Sequence, residues 1–170
     1  MKGNMESKTF NPHDYFTLLA QTNRLCRSEN FQVAFCSGPE NLEGVMAEFR
    51  DKENFVVIDD TTDNNVHGQR PGWFTKSVYT VWILAATDFD DTEMHKERMA
   101  LCRTVFRQML SRMVRDKQLL VYGDKMFYLG LDRIYYKELG RYSLNGCTGL
   151  YFMVENDVPT DLTYNADEWN

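Results

Sequence analysis

The chain has 170 residues, of which 43% are hydrophobic and 14% aromatic, and its formal net charge is −6. That length predicts one globular domain with a sizeable core, and the acidic balance argues against a general nucleic-acid binder. No apolar run is long enough to span a membrane, and residues 1–10 lack the apolar segment of a signal peptide.

The first third of the chain predicts two helices and two strands. Residues 1–11 are polar and aperiodic, which predicts a flexible N-terminal arm. Apolar residues at helical spacing then predict a first helix over residues 12–28. The pattern predicts a strand at residues 31–36, a second helix from residue 39 to about residue 52, and a short buried strand at residues 55–58.

Residues 59–72 form a polar, turn-rich segment that we predict to be a long loop. Loops of this length are usually functional or disordered. Because strands are predicted on both sides of it, the segment is either a projecting functional loop or an extended hairpin that reaches away from the domain.

The strand predicted at residues 77–87 is apolar on both faces. Tyr79, Val81 and Ile83 alternate with Thr80, Trp82 and Leu84, and neither set is predominantly charged or polar. An antiparallel strand with one wet face would alternate apolar and polar residues, so we expect this strand to be covered on both sides.

A long helix is predicted at residues 92–117, with an apolar stripe from Leu101 to Val114. Asp90, three residues before Glu93, predicts an N-cap with a capping-box partner. This segment carries a net charge of +4 and the remainder −10. The basic face is a solvated surface, a contact for an acidic face of a neighbouring subunit, or a phosphate contact.

After the helix, residues 119–122 end at a Gly123-Asp124 turn, and residues 125–131 are a strand or an irregular segment. Residues 134–144, Asn145-Gly146 and an apolar strand at 149–155 predict a closing hairpin. The acidic tail, residues 156–170, has apolar anchors at Leu162, Tyr164 and Trp169. A tryptophan so near a terminus predicts docking on its own subunit or on a neighbour.

The sequence contains no catalytic motif and predicts no cofactor. Its four cysteines (Cys26, Cys36, Cys102 and Cys147) show no Cys-x-x-Cys spacing, so we expect buried free thiols in a reducing cytoplasm. Asp59, Asp60 and Asp63 follow one strand, and Asp88, Asp90 and Asp91 follow another. If the two strands are neighbours, such clusters could converge on Mg²⁺, and we expect Asp59 and Asp88 at the same end only if the strands pair antiparallel. Turn or cap duty explains each aspartate individually.

The two-faced strand at 78–86, the helix after it and residues 141–155 with their Asn145-Gly146 turn carry a resemblance. Over roughly residues 14–155 the order of elements is similar to small head–tail joining proteins of tailed bacteriophages, including the tail-terminator and tail-completion family. The resemblance implies a non-enzymatic subunit, a sheet flanked by helices, and a homo-oligomeric ring through which DNA passes without specific binding. It implies other neck and tail proteins as partners, no membrane, and a place in the virion after assembly in the bacterial cytoplasm.

The sequence therefore predicts an α+β fold in which the long helix packs across a mostly antiparallel sheet, with two N-terminal helices beside it. The hypothesis is a structural ring subunit of a phage or prophage neck or tail. The predicted interface residues are Arg103, Arg107, Arg112, Arg115, His67, Arg70, Trp73 and Trp169. Two alternatives stay open: a metal-dependent phosphodiesterase or nuclease that uses Asp59, Asp60, Asp63 and Asp88, and a cytoplasmic adaptor that binds another protein.

Overall fold

The computed structural model describes residues 10–48, 53–69, 72–88, 90–140 and 146–169. Within these ranges the helices are α1 (Pro12–Thr22), α2 (Arg24–Ser28), α3 (Pro39–Glu48) and α4 (Thr92–Gln118). The strands are β1 (Gln32–Cys36), β2 (Asn54–Asp59), β3 (Asp63–Gln69), β4 (Gly72–Ala86), β5 (Leu129–Glu138) and β6 (Cys147–Thr160).

These six strands form one sheet in the order β1-β2-β4-β6-β5. β1 and β2 are parallel, and β2, β4, β6 and β5 pair antiparallel in turn. β6 lies along one side of β4, opposite residues 73–86. β2 and β3 lie along the other side, β2 opposite residues 81–85 and β3 opposite residues 72–78. β2 and β3 therefore follow each other along one edge of the long strand β4.

Helices cover both faces of the sheet around the inner half of β4. On one face α1, α2 and α4 enclose a cluster that includes Phe16, Ile83, Met109 and Phe152. On the other face α3 packs through Leu42 and Met46 onto Trp82 and neighbouring strand residues. The expectation that the strand is covered on both sides is therefore confirmed for residues 81–85, which are buried.

The mostly antiparallel α+β fold and the long helix are confirmed, whereas the N-terminal helices match only loosely. The helix predicted at 12–28 divides at Asn23, whose side chain accepts a hydrogen bond from the backbone N–H of Cys26 and starts α2. α3 lies on the face opposite α4 rather than beside it. The N-cap of α4 is Asp91 and not Asp90, because Asp91 accepts from the N–H groups of Glu93 and Met94.

Several predicted boundaries differ from the structure. Phe10 lies within the predicted flexible arm but is buried against the rings of Tyr15, Phe16 and Tyr79, while the rest of that arm up to residue 9 lies outside the described residues. The segment predicted as a loop at 59–72 contains β3, so the hairpin alternative is the correct one. Residues 156–160 belong to β6, which shortens the tail.

All four cysteines are buried and free. Burial raises the pKa of Cys26 to about 12 and that of Cys147 to about 11, which makes the thiolate scarce at neutral pH. No helix in the described part of the chain is long and apolar enough to cross a membrane.

Candidate subunit interface

The outer half of the sheet extends beyond the helices. β3, residues 72–78 of β4 and residues 155–160 of β6 pair as three antiparallel strands, which we call the outer sheet. None of the described hydrophobic residues in this part of β4 belongs to either core cluster. In a single chain residues 72–78 of β4 are half-buried, and of residues 155–160 in β6 only Asn156 is buried.

β3 forms an open edge of the outer sheet. All seven of its residues are exposed, and among the described strands it pairs with β4 alone. An edge strand presents backbone N–H and C=O groups that a strand from another chain can pair with. β3 carries few of the protective charges that usually block such pairing, since Asp63 is its only charged residue apart from a titratable His67.

Two predicted interface residues lie on opposite faces of the outer sheet. His67 stacks on Phe74 with 5.7 Å between ring centroids, and its Nε2 lies 2.8 Å from an Asp157 carboxylate oxygen. Trp73 is opposite Gly68 and Thr160, on the other face. Arg70 lies outside the described residues.

The four predicted interface arginines of α4 differ in how they are engaged. Arg103 makes a bidentate ion pair with Glu138 at 2.6 and 2.7 Å, which lowers the pKa of that glutamate through hydrogen bonding. Arg112 and Arg115 both reach Asp116. Arg107 is exposed, and it forms no ion pair with any residue in the described part of the chain.

Asp116 is a fully buried carboxylate that joins α4 to α1. Its oxygens accept from Arg112 Nε at 2.7 and 2.8 Å and from the Tyr15 hydroxyl at 3.1 Å. Burial and the neighbouring Asp116 charge raise the pKa of Tyr15, so its hydroxyl stays a proton donor. Arg112 and Arg115 therefore have an internal role, and their predicted contact with a neighbouring subunit remains a prediction.

Sequence reasoning missed an exposed apolar loop after α4. Residues 119–128, which we call the apolar loop, expose five large apolar side chains by 41% to 62%: Leu119, Leu120, Val121, Phe127 and Tyr128. The sequence signal was present, because the Leu-Leu-Val run follows the basic last turn of α4 and lies outside its helical stripe. Exposed apolar groups this dense typically mark an interaction surface.

The C-terminal tail does not dock on its own chain. Leu162, Tyr164 and Trp169 are exposed by 52%, 72% and 70%. The apolar anchors predicted for the tail are therefore exposed. The sequence predicts that Trp169 docks on its own subunit or on a neighbour, and in the described part of the chain it does not dock on its own subunit.

The carboxylate clusters do not converge. β2 and β4 are neighbours and pair antiparallel, but this pairing places Asp59 and Asp88 at opposite ends of β2, so the expectation that antiparallel pairing brings them to one end is wrong. Asp59 accepts from the N–H groups of Gly38 and Thr61 and from the Thr61 hydroxyl. Across the described ranges no three histidine, cysteine or acidic side chains are grouped so as to hold a metal ion.

No protein-family model and no curated protein matches the chain. The outer sheet, the apolar loop and the tail are surfaces that a single chain leaves uncovered.

Proposed function

We propose that this chain is a non-enzymatic structural subunit of a phage or prophage neck or tail that assembles into a homo-oligomeric ring at the head–tail junction. Two observations support this role: the order of elements resembles that of head–tail joining proteins, and one chain leaves several surfaces uncovered. Its partners are copies of itself and other neck and tail proteins, and its place is the virion.

The observation that carries the proposal is the open outer sheet. The inner half of the six-stranded sheet is enclosed by the helices of its own chain. The outer sheet is only half-buried over residues 72–78 of β4 and, among the described strands, leaves one edge of β3 unpaired. A free edge can pair with a different surface on the next subunit, which is a head-to-tail contact. Head-to-tail contacts produce a ring when the rotation closes.

Charge supports the same role. The net charge of −6 disfavours tight binding to a phosphate backbone, as a channel that lets DNA slide requires. Among the four predicted arginines of α4, the exposed Arg107 is the best placed to meet an acidic neighbour, because Arg103, Arg112 and Arg115 already have partners in their own chain.

Light scattering coupled to size-exclusion chromatography tests the assembly. We expect a particle mass that is a multiple of the 20.0 kDa chain, and ring-shaped particles by negative-stain electron microscopy. If the ring forms only on partner proteins, electron microscopy of a phage particle that contains the chain shows whether it forms a ring at the neck or tail. A chain that stays monomeric and is absent from the neck and tail of such particles would refute the proposal.

A pair of matched variants tests the role of the β3 edge. Val66→Lys places a charge on the exposed edge strand, and Ala47→Lys places the same charge on the exposed surface of α3. Edge charges oppose strand addition. We expect Val66→Lys to reduce the oligomer mass at equal concentration and Ala47→Lys to leave it unchanged, and equal behaviour of the two variants would argue against this edge.

The exposed apolar loop and tail also suit the second candidate, an adaptor that binds a different protein. The two candidates differ in stoichiometry: an adaptor stays at 20.0 kDa alone and shifts only with its partner. The nuclease alternative depended on Asp59 and Asp88 lying together, and their separation leaves it without a supporting observation. Calorimetric titration with Mg²⁺ or Mn²⁺ tests it directly.

A further inference from the structure

We propose that the C-terminal tail of one copy docks on the apolar loop of a second copy. The tail is residues 161–169 and the apolar loop is residues 119–128. This inference deepens the proposed function and rests on it for the identity of the partner, a second copy of this chain.

The tail has the properties of a preshaped ligand. Asp161 accepts from the N–H of Thr163 at 2.9 Å, and Asn165 caps a short 3₁₀ turn, Ala166–Glu168, by accepting from the N–H of Asp167 at 3.1 Å. Among the described residues, every hydrogen bond that residues 161–169 make joins two residues of the tail. A peptide already held in a turn loses less conformational entropy when it binds.

The apolar loop has the properties of a rigid receptor. The N–H of Val121 donates to the carbonyl of Asp116 at 3.0 Å, and the N–H of Phe127 donates to the carbonyl of Asp124 at 2.9 Å. Met126 is buried in the core and fixes the loop from below. The exposed side chains of the loop are therefore held at the surface by its own backbone and cannot easily turn inward.

Charge complements the apolar match. Residues 161–169 contain three acidic residues and no lysine or arginine. Residues 112–128 contain four bases and two acids. One of those acids is Asp116, whose buried carboxylate is matched by Arg112, so the remaining bases Arg115, Lys117 and Lys125 outnumber the remaining acid, Asp124. Complementary charge favours the encounter and fixes its orientation.

The path of β6 indicates that the receptor belongs to another copy. The strand passes the loop at Asp157, whose N–H donates to the carbonyl of Tyr128 at 3.2 Å. It then continues outward to Thr160, which is paired with Trp73 near the end of the outer sheet. The tail therefore starts by leading away from the loop of its own chain.

A contact by nine residues is small compared with a stable protein interface, so each one is weak in isolation. In a closed ring the same contact repeats at every subunit boundary, and a second contact between chains already joined is effectively intramolecular. The tail would then fasten a ring whose main contacts lie in the sheet.

Cysteine cross-linking between two full-length variants tests the docking. One variant carries Asp124→Cys in the apolar loop and the other carries Ala166→Cys in the tail. Both positions are exposed and neither is one of the apolar side chains that dock. The native cysteines are buried, so they serve as an unreactive background. After mixing and mild oxidation we expect a disulfide-linked dimer that contains one copy of each variant.

Two further variants sharpen the result. Replacing Asp124→Cys with Ala47→Cys on α3 should reduce the mixed dimer to background. Adding Trp169→Ala to the tail variant should reduce its yield about tenfold, as expected for an aromatic anchor worth about 1.4 kcal/mol, whereas Tyr164→Phe, which keeps the exposed aromatic ring, should leave the yield unchanged. Equal yields for all of these variants would overturn the inference.

The double variant Asp124→Cys/Ala166→Cys separates docking between copies from docking within one chain. A disulfide that forms inside single chains at low concentration would overturn the inference. A ring of wild-type chains by light scattering, without the mixed dimer, would overturn tail docking and leave the proposed function intact. The mixed dimer without any ring or particle would support tail docking and count against the proposed function.

Discussion

The two halves of β4 differ in both sequence and surroundings, since residues 72–80 include Thr75, Lys76 and Ser77 whereas residues 81–86 are all apolar. Residues 81–85 are buried between α3 on one face and α1, α2 and α4 on the other. Residues 72–80 of the same strand are only half-buried, although Trp73, Phe74 and Val78 are as apolar as the residues further along. One strand of 15 residues thus passes from a closed core to an open sheet.

Apolar side chains in β4 therefore occur in two environments, one buried by helices and one only half-buried. In the inner half, apolar residues on both faces are covered by the helices of the same chain, and their burial stabilises the fold. In residues 72–78 the apolar side chains of Trp73, Phe74 and Val78 lie on either side of a polar run and belong to neither core cluster. Apolar surface that one chain leaves exposed can pack against another chain, and in the proposed ring it contacts the next subunit.

The largest expected effect comes from truncating apolar side chains in the two halves. Ile83 is fully buried, so Ile83→Ala should lower the free energy of unfolding by about 2–5 kcal/mol through lost burial and a cavity. Trp73→Ala removes a larger side chain from the half-buried outer sheet. We expect it to lower the free energy of unfolding of the monomer less than Ile83→Ala does, and to reduce assembly more.

Urea unfolding at low protein concentration measures the first quantity, and light scattering at high concentration measures the second. Equal destabilisation of the isolated chain by Trp73→Ala and Ile83→Ala would contradict the proposed difference between the two halves of β4. That result would mean that the outer sheet belongs to the core of a single chain.

A second prediction concerns the closest backbone approach in the inner half. Gly149 has φ +149° and is paired with Leu84, and a Cβ at this position would collide with the carbonyl oxygen of Ile83. Both the disfavoured conformation and the backbone collision oppose a side chain here. Gly149→Ala should therefore lower the free energy of unfolding by more than about 2 kcal/mol.

Gly44 provides the matched control, because it lies in α3 and a Cβ added there would meet only the Asn41 side-chain nitrogen, at 4.0 Å. Gly44→Ala should raise the free energy of unfolding by about 0.5–1 kcal/mol, since alanine favours the helix. Thermal unfolding of the two variants gives opposite signs if the inner sheet is as closely packed as its geometry indicates. A destabilising Gly44→Ala would contradict this account of α3.

Much of the fold could be predicted because its signals are local. The stripe of α4 repeats at helical spacing, and the run from Val81 to Ala85 is apolar on both faces, so the long helix and the doubly covered strand follow from the residues themselves. The break at Asn23 could not be predicted because the apolar spacing continues across it, while the cap depends on a single side chain. The residues of β3 are polar, and pairing with β4 rather than their own propensity makes them a strand.

The candidate interface was less predictable, because exposure is a property of the whole molecule. Trp169 could be singled out from its position near the end of the chain, but the sequence alone could not show that it lies uncovered. The partners of Arg103 and Arg112 are 35 and 4 residues away, and only the folded chain shows that the distant partner is Glu138 on β5. The sequence of the apolar loop predicts a turn followed by a strand or an irregular segment, and its exposure depends on how α4 ends.

The smallest expected effect concerns the ion pair between β4 and β6 in the outer sheet. Lys76 Nζ lies 2.7 Å from a Glu155 carboxylate oxygen, and this hydrogen bond raises the pKa of the lysine. A group with a raised pKa in the folded state contributes stability at neutral pH and loses it as the pH rises above that pKa. Glu155→Gln should therefore speed amide hydrogen exchange in residues 72–78 at neutral pH and leave exchange in residues 81–85 unchanged.

Glu48→Gln, at an exposed position of α3, removes the same charge away from the sheet and should change neither segment. Because both partners of the Lys76 pair are partly exposed, salt should screen their attraction, and the effect of Glu155→Gln should shrink in high salt. Faster exchange in both halves of β4 would show that the strand opens as one unit. Faster exchange confined to the outer half would show that the outer sheet opens independently of the core.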